Sequence, residues 1–254
     1  MSERELIGLG GLGLLFFILA LRVPVGLAMV GVGIGGNYVL SLFFPFLRFD
    51  PYLQQFKSLF YGIVSNYELS VVPLFVLMGY LASQANLSRD LFQGVNAILG
   101  RFRGGVAMAA IGACAGFGAV CGSSLATAST MGKVALPELD RLKYSPRLAT
   151  GTLAAGGTLG ILIPPSVALV IYAVTVEASI IQMFQAAIIP GLIAVLFFMA
   201  VIAIQVRINP SLAPIPAPMP PAERKEALLR LIPVMVIFGA IILGLGAGLF
   251  TPTP

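Results

Sequence analysis

The sequence predicts an all-α polytopic membrane protein, and three observations support this fold class. Hydrophobic residues make up 58% of the 254 residues, and charged residues make up only 10%. The mean hydropathy is +1.00, which is too high for a soluble domain of this size. The apolar residues also fall into runs that are separated by short groups of arginine and lysine, a pattern typical of membrane topology signals.

The net charge of +5 does not indicate a nucleic-acid partner. The basic residues occur singly or in small groups between the apolar runs, so they form no contiguous basic face of the kind that binds phosphates. We therefore expect the lipid bilayer, and no nucleic acid, as a partner of this chain.

Residues 1–87 are predicted to form scaffold-type transmembrane helices. Apolar runs cover residues 6–21 and 24–45, with Arg22 and Val23 between them and Pro24 at the start of the second run. Residues 46–67 then mix charged side chains with phenylalanine and tyrosine. Such a mixture is typical of a helix that lies in the membrane interface, and a further span is predicted to follow it.

Residues 88–176 are predicted to form the transport-type region, which begins with a short amphipathic helix and continues into a hairpin at 105–141. Each apolar arm of the hairpin has about 16 residues, or roughly 24 Å of helix, which is shorter than a hydrocarbon core of about 30 Å. Basic residues bracket both outer ends, in 88–103 and 141–147. This indicates a re-entrant hairpin that enters and leaves on the cytoplasmic side, with its tip at 121–124.

A broken transmembrane helix is predicted at residues 147–176. Pro164 and Pro165 remove two amide donors, and the glycines, threonine and serine around them favour an interruption of the same helix. The alternative is a simple proline kink whose free carbonyls are satisfied by neighbouring helices. Because a hairpin tip and a helix break occur within one region, we expect half-helix ends to converge on a site near the midplane.

We predict that this site binds a sodium ion. An unpaired buried carbonyl or hydroxyl group costs about 1–3 kcal/mol, and a cation recovers that cost because sodium, a hard ion, prefers oxygen ligands. The candidate ligands lie in the tip and in the broken helix. They are Gly122, Ser123, Ser124, Gly156, Gly157, Thr158 and Pro164.

Residues 177–254 are predicted to contain two further transmembrane helices. The first lies within residues 180–206 and the second at about 231–249. A proline-rich segment at 207–228 joins them, and its basic residues place it on the cytoplasmic side as a stiff linker.

Several motifs together resemble the large membrane subunit of tripartite ATP-independent periplasmic (TRAP) transporters, the DctM-like proteins. The motifs lie at residues 72–79, 104–105, 118–124, 149–151, 156–166, 190–191 and 250–253. The resemblance implies an ion-transporter-type fold of two inverted repeats, each with a re-entrant hairpin and a broken helix. It also implies sodium-coupled import of organic acids, such as C4-dicarboxylates or sialic acid, across a bacterial inner membrane.

The same resemblance implies two partners, a periplasmic substrate-binding protein and a small four-helix membrane subunit. We expect Thr127, Pro165 and Ser166 beside the tip and the break to bind the substrate. Cys121 stands where the family commonly has a serine, which removes one good oxygen ligand from the tip. The family pattern usually continues beyond Thr253 into a second repeat, so we expect this chain to match the N-terminal half and to need a polypeptide that supplies the other repeat.

Two alternatives to a transporter subunit follow from the sequence. One is a truncated membrane scaffold that does not transport. The other is an intramembrane hydrolase in which Ser123 or Ser124 is the nucleophile and Lys133 the base, because the chain has no histidine. Lys133 follows the tip by about 13 Å of helix at ~1.5 Å per residue, which is beyond hydrogen-bond reach. We therefore do not expect an enzyme.

Overall fold

The computed structural model of the protein describes residues 3–44, 46, 48–214 and 219–246. Every regular element within these residues is an α-helix or a short 3-10 turn, so the predicted all-α class is confirmed. The helices divide into two compact units, and the division follows Asn66. The motif at 250–253 lies outside the described residues.

The first unit contains three helices, α1 (Glu3–Ala20), α2 (Val25–Phe43) and α3 (Phe49–Val64). The chain turns between α1 and α2 at Arg22, whose φ is 63°. Pro24 then lies directly before α2 and keeps the preceding residue out of a helical conformation. The two apolar runs of the sequence are therefore two separate helices, as expected.

Helix α3 occupies most of the segment that we expect to lie in the membrane interface. It has apolar and polar side chains on different faces, and none of its residues is buried within the described chain. At its start, the ring of Phe49 packs edge-on against Tyr38 of α2, with 5.3 Å between the ring centroids. The interfacial position of this helix stays a prediction.

The second unit is built around α6, a helix that is rich in glycine and alanine and whose residues are mostly buried. Small side chains let neighbouring helices approach closely, which is how helices associate in lipid. Its other helices pack directly or indirectly on α6. The helices of this unit are α4 (Val71–Gln84), α5 (Leu87–Leu99), α6 (Gly105–Cys121), α7 (Ser124–Arg141), α8 (Pro146–Leu162), α9 (Val167–Thr175), α10 (Ile180–Ile208) and α11 (Pro221–Gly246).

Helices α6 and α7 are the two arms of the predicted hairpin and run antiparallel. Only Gly122 and Ser123 separate them at one end. At the other end, the side chain of Tyr144, just beyond α7, is buried beside the backbone of Val106 at the start of α6. The two outer ends of the hairpin therefore lie together.

The linker expected at 207–228 is shorter than the sequence indicates, because helices extend into both of its ends. Helix α10 continues to Ile208, and α11 already begins at Pro221. Proline is well tolerated in the first helical turn, where its missing amide has no helical partner. A salt bridge of 2.6 Å between Glu226 and Arg230, one turn apart, supports the first part of α11. Residues 215–218 of the linker lie outside the described residues.

Two described helices, α2 and α10, are each long and apolar enough to cross a membrane. The number rises to four if each of two bent helix pairs forms one span. One of these pairs consists of α8 and α9, whose axes differ by 42°. The coarse prediction of a membrane protein with a broken helix is thus confirmed, whereas the sidedness of its loops stays a prediction.

Cysteine labelling tests whether the hairpin is re-entrant. Because the outer ends of α6 and α7 lie together, single cysteines replacing Arg101 and Lys143 are expected to react with a membrane-impermeant maleimide from the same side of the membrane. A cysteine replacing Glu177, beyond the broken helix, serves as the opposite-side control. Labelling of positions 101 and 143 from opposite faces would show that the hairpin crosses the membrane.

Candidate functional site at the hairpin tip

The hairpin tip is a two-residue turn whose shape depends on glycine. Gly122 ends α6 with φ at +62°, and its amide donates to the carbonyl of Gly118 at 2.7 Å. Residues with a side chain rarely adopt this left-handed conformation, which commonly closes the C-terminus of a helix. Ser123 is extended and caps α7, where its side-chain oxygen accepts from the amide of Ala126 at 3.4 Å.

The break in the second helix lies between Leu162 and Val167. The intervening residues include Pro164 and Pro165, joined by a cis peptide bond, and an extended Ser166. The hydroxyl of Ser166 donates to the carbonyl of Ile161 at 2.8 Å, so it satisfies one carbonyl that the break leaves without an amide partner. The prolines are thus the cause of the break, as the sequence predicts.

The tip and the break meet. The amide of Val167 donates to the carbonyl of Gly122 at 3.4 Å. A Cβ atom built on Gly122 would lie 3.1 Å from the carbonyl oxygen of Pro165, so a larger residue would push the two segments apart. The sequence correctly placed these two interruptions side by side, although the closest backbone is that of Pro165 and not that of Pro164.

The glycines before the break do not belong to it. Gly156, Gly157 and Thr158 lie inside α8, which is regular up to Leu162, so the expectation that the break frees their carbonyls is wrong. In a regular helix each carbonyl accepts from the amide four residues later. The Thr158 hydroxyl also donates within its own helix, to the carbonyl of Ala155 at 2.7 Å.

Instead, these glycines let α8 pack closely against both arms of the hairpin. A Cβ atom on Gly156 would lie 2.8 Å from the sulfur of Cys114 in α6, and one on Gly157 would lie 2.6 Å from the Cβ of Ala128 in α7. Distances this short leave no space for a side chain. The positions are therefore glycine because of helix packing.

The two serines of the tip remain available to a ligand. Both are half-buried, and the Ser123 side chain forms only the long bond to Ala126 described above. Within the described part of the chain, the Ser124 hydroxyl has no hydrogen-bond partner. Ser124 also occupies the first position of α7, so it lies at the positive end of that helix dipole.

The three expected substrate residues lie beside the tip, but they are buried. Thr127 and Ser166 are 0% exposed, and both hydroxyls donate to backbone carbonyls. The hydroxyl of Thr127 donates to the carbonyl of Ser123 at 2.7 Å and lies 3.3 Å from the sulfur of Cys121. Pro165 is likewise fully buried. Their role in substrate binding stays a prediction.

Four helix ends lie at the contact between tip and break. The C-terminal turns of α6 and α8 run side by side, since a Cβ atom on Gly118 would lie 2.6 Å from the Cα of Gly160. The N-terminal ends of α7 and α9 also lie here, because Val167, the first residue of α9, donates to the carbonyl of Gly122, two residues before α7 begins. Helix C-termini carry partial negative charge and N-termini partial positive charge. This arrangement can therefore hold a cation and an anion side by side.

The sequence analysis did not identify Gly79, a residue of α4 that packs against Cys121 at the tip. A Cβ atom on this residue of α4 would lie 2.7 Å from the Cβ of Cys121 and 2.9 Å from its Cα. Gly160 was missed in the same way, because a Cβ there would lie 2.6 Å from the hydroxyl oxygen of Thr127. A single glycine in an apolar helix is the signal for such a contact, but it does not identify the partner helix.

Comparison with known proteins decides the family. Residues 12–254 match the family described as the DctM component of tripartite ATP-independent periplasmic transporters. The chain belongs to this family. The resemblance noted in the sequence is thereby confirmed, and the family is one of transporter permeases and not of enzymes.

Relatives with different named substrates are similar to this chain. The C4-dicarboxylate TRAP transporter large permease protein DctM of Pseudomonas aeruginosa is 34% identical over 224 residues, which are 87% of this chain and 50% of the relative. The sialic acid TRAP transporter large permease protein SiaM of Vibrio cholerae is 31% identical over 251 residues, which are 96% of this chain and 54% of the relative. The isethionate TRAP transporter permease protein DctMQ of Oleidesulfovibrio alaskensis is 34% identical over 137 residues, which are 54% of this chain and 22% of the relative. The chain spans about half the length of the first two relatives.

The packing role of the DctM-family glycines is tested by two matched substitutions in α8. Gly160→Ala should lower the thermal stability of the purified protein, because the added methyl would meet the Thr127 hydroxyl at 2.6 Å and the Ser123 carbonyl oxygen at 2.8 Å. Overpacking of this kind costs about 1–3 kcal/mol. Gly151→Ala, in the same helix, meets no atom within 4 Å and should be neutral or stabilising. Equal melting temperatures for the two variants would contradict the close packing described above.

Proposed function

We propose that this chain is the large permease subunit, or the N-terminal half of one, of a sodium-coupled secondary transporter that depends on a binding protein and imports organic acids. The observation that carries the proposal is the meeting of four helix ends where Gly122 contacts the break at Pro165. Membership of the DctM family supports the activity. The names of its relatives support C4-dicarboxylates or sialic acid as the substrate class.

The fold that we infer is of the ion-transporter type, with this chain supplying one inverted repeat. Residues 88–176 would be its transport-type region, residues 1–87 would supply scaffold-type transmembrane helices, and residues 177–254 would supply two further transmembrane helices. The contact between a hairpin tip and a broken helix supports this inference, because secondary transporters bind ions and substrates at such discontinuous helices.

We assign the sodium ion to the tip and the break, with Gly122, Ser123, Ser124 and Pro164 as the ligand-bearing residues. The unpaired hydroxyl of Ser124 and the C-terminal carbonyls of α6 and α8 favour a cation there. The other three residues that the sequence suggests as sodium ligands do not bind the ion in this proposal. Gly156 and Gly157 keep α8 against the hairpin and so position the tip, while Thr158 faces away from the arms with an exposed side chain.

The substrate is proposed to bind through its carboxylate to the N-terminal ends of α7 and α9, beside Thr127, Pro165 and Ser166. Helix N-termini present free amides and partial positive charge, which favour anionic groups. Neither the tip nor the break contains a charged side chain. A bound sodium ion would therefore supply the positive charge that couples the two ligands.

The proposed setting is a multi-pass position in the bacterial inner membrane. The proposed partners are a periplasmic substrate-binding protein, a small four-helix membrane subunit and a polypeptide that supplies the second repeat. The words "tripartite" and "periplasmic" in the family description support the first two. The compound name DctMQ of the isethionate relative also supports a second membrane component.

Transport is tested in proteoliposomes that contain the permease assembled from this chain with its partner subunits and binding protein. We expect an inward sodium gradient to drive uptake of a C4-dicarboxylate or sialic acid, whereas an equal potassium gradient does not. Gly122→Ala should abolish this uptake, because alanine opposes the +62° φ. Uptake that is equally fast without sodium, or unaffected by Gly122→Ala, would contradict the proposal, and a complete absence of uptake would favour a non-transporting scaffold.

The ion site is tested by comparing Ser124→Ala with Thr158→Ala. Ser124→Ala should raise the sodium concentration needed for half-maximal uptake by about tenfold, since a lost hydrogen bond or ligand of this kind is worth about 1–2 kcal/mol. Thr158→Ala, whose hydroxyl is bonded within α8, is the matched control and should leave that concentration unchanged. An equal effect of both variants would place the ion further along α8.

A further inference from the structure

A cavity lies away from the tip, between α8 and α10 with α6 as its floor. It has a volume of about 230 Å³. Ile111 forms the floor and lies ten residues before Cys121 in α6, or about 15 Å along the helix. The cavity is therefore separate from the proposed ion and substrate site.

The cavity is polar at one end and apolar at the other. Arg147 and Gln205 line the polar end, where α8 begins and α10 ends, and both side chains are exposed. Phe198, about two turns further into α10, and Ala155 line the opposite end. This gradient matches an amphipathic ligand whose head lies near the outer ends of the helices.

Thr152 lies between these two ends and has an unsatisfied hydroxyl. Its side chain is 4% exposed, and its oxygen has no hydrogen-bond partner in the described chain. Thr150, in the same helix, satisfies its own hydroxyl by donating to the carbonyl of Pro146 at 2.8 Å. A buried hydroxyl without a partner is unfavourable, so a ligand that accepts a hydrogen bond from Thr152 would stabilise the cavity.

The charge of the cavity favours an anion. Arg147 is its charged lining residue, and no aspartate or glutamate is among the residues that line it. Within the described residues, Arg147 also forms no ion pair with another part of the chain. A guanidinium group and a side-chain amide are both suited to donate to a phosphate oxygen.

We propose that this cavity binds an anionic phospholipid. The phosphate contacts Arg147 and Gln205, the Thr152 hydroxyl donates to an ester oxygen near the glycerol, and an acyl chain lies against Phe198. Basic pockets at the cytoplasmic ends of membrane helices bind lipid head groups in this way. The apolar inner end distinguishes a lipid from a free phosphate ion, which would gain nothing there.

Native mass spectrometry of the purified chain in detergent tests the proposal. Phosphatidylglycerol should remain bound more than phosphatidylcholine with the same acyl chains. Arg147→Gln should reduce its retention about fivefold, the factor expected for one arginine beside an anionic lipid. Arg207→Gln replaces another exposed arginine, near the end of α10 and outside the cavity, and is the matched control. Equal retention of both lipids, or an equal loss with Arg207→Gln, would overturn the proposal.

Two further variants separate lipid binding from folding. Gly151→Leu adds a large side chain to a residue that lines the cavity, at a position where the Cβ atom meets nothing within 4 Å. Thr152→Val removes the unpaired hydroxyl. Both variants should lose phosphatidylglycerol while keeping at least the wild-type melting temperature in lipid-free detergent. Unchanged lipid retention in both variants, or displacement of the lipid by millimolar inorganic phosphate, would show that the cavity is not a phospholipid site.

Discussion

The second unit depends on backbone contact between α8 and both arms of the hairpin. Gly118, Gly157 and Gly160 lie at the crossing points, and no side chain fits between the helices there. In lipid, apolar side chains gain nothing by leaving the solvent, so helices associate through dispersion contacts between closely fitted surfaces. Glycine lowers the stability of an isolated helix by about 1 kcal/mol. The close contacts that it permits offset that cost here.

This packing determines where the ends of the helices lie. Because α8 runs parallel to α6 and antiparallel to α7, its interruption at Pro164 and Pro165 is held against the turn at Gly122. The partial charges of four helix ends are thereby concentrated in one small volume, where a low dielectric makes them more effective than they would be in water. A cation bound there would offset the partial negative charge of the helix C-termini, which repels a carboxylate. A bound carboxylate would likewise offset the partial positive charge of the helix N-termini, which repels a cation.

The sequence predicts the features of this region that local chemistry controls. The break at Pro164 and Pro165 and the turn at Gly122 follow from a missing amide donor and a left-handed φ, and neither requires knowledge of the neighbours. The expectation that the helix is interrupted at Gly156 and Gly157 was wrong, because glycine occurs both where helices pack closely and where a helix is interrupted. Only the position of the partner helices distinguishes the two.

Two other features of the structure are also missing from the sequence analysis, because they depend on which residues become neighbours in the folded chain. The polar start of α11 resembles a linker because the residues that stabilise it, such as Glu226 and Arg230, pair within the helix only once it has formed. The hydroxyls of Thr127 and Ser166 are the second case, because the sequence does not show their backbone partners, while their contact with a substrate stays a prediction. A hydroxyl in a buried backbone turn more often satisfies a nearby carbonyl, and both do so here.

The length of α10 links the protein to the thickness of its bilayer. Its 29 residues span about 44 Å at ~1.5 Å per residue, which exceeds a hydrocarbon core of about 30 Å but equals a bilayer with its head groups. As a membrane span, α10 must either tilt or extend into both head-group layers, and each solution has a small elastic cost. Since α6 and α8 pack against this helix, changes in acyl-chain length would be transmitted to the hairpin and the break as mechanical stress.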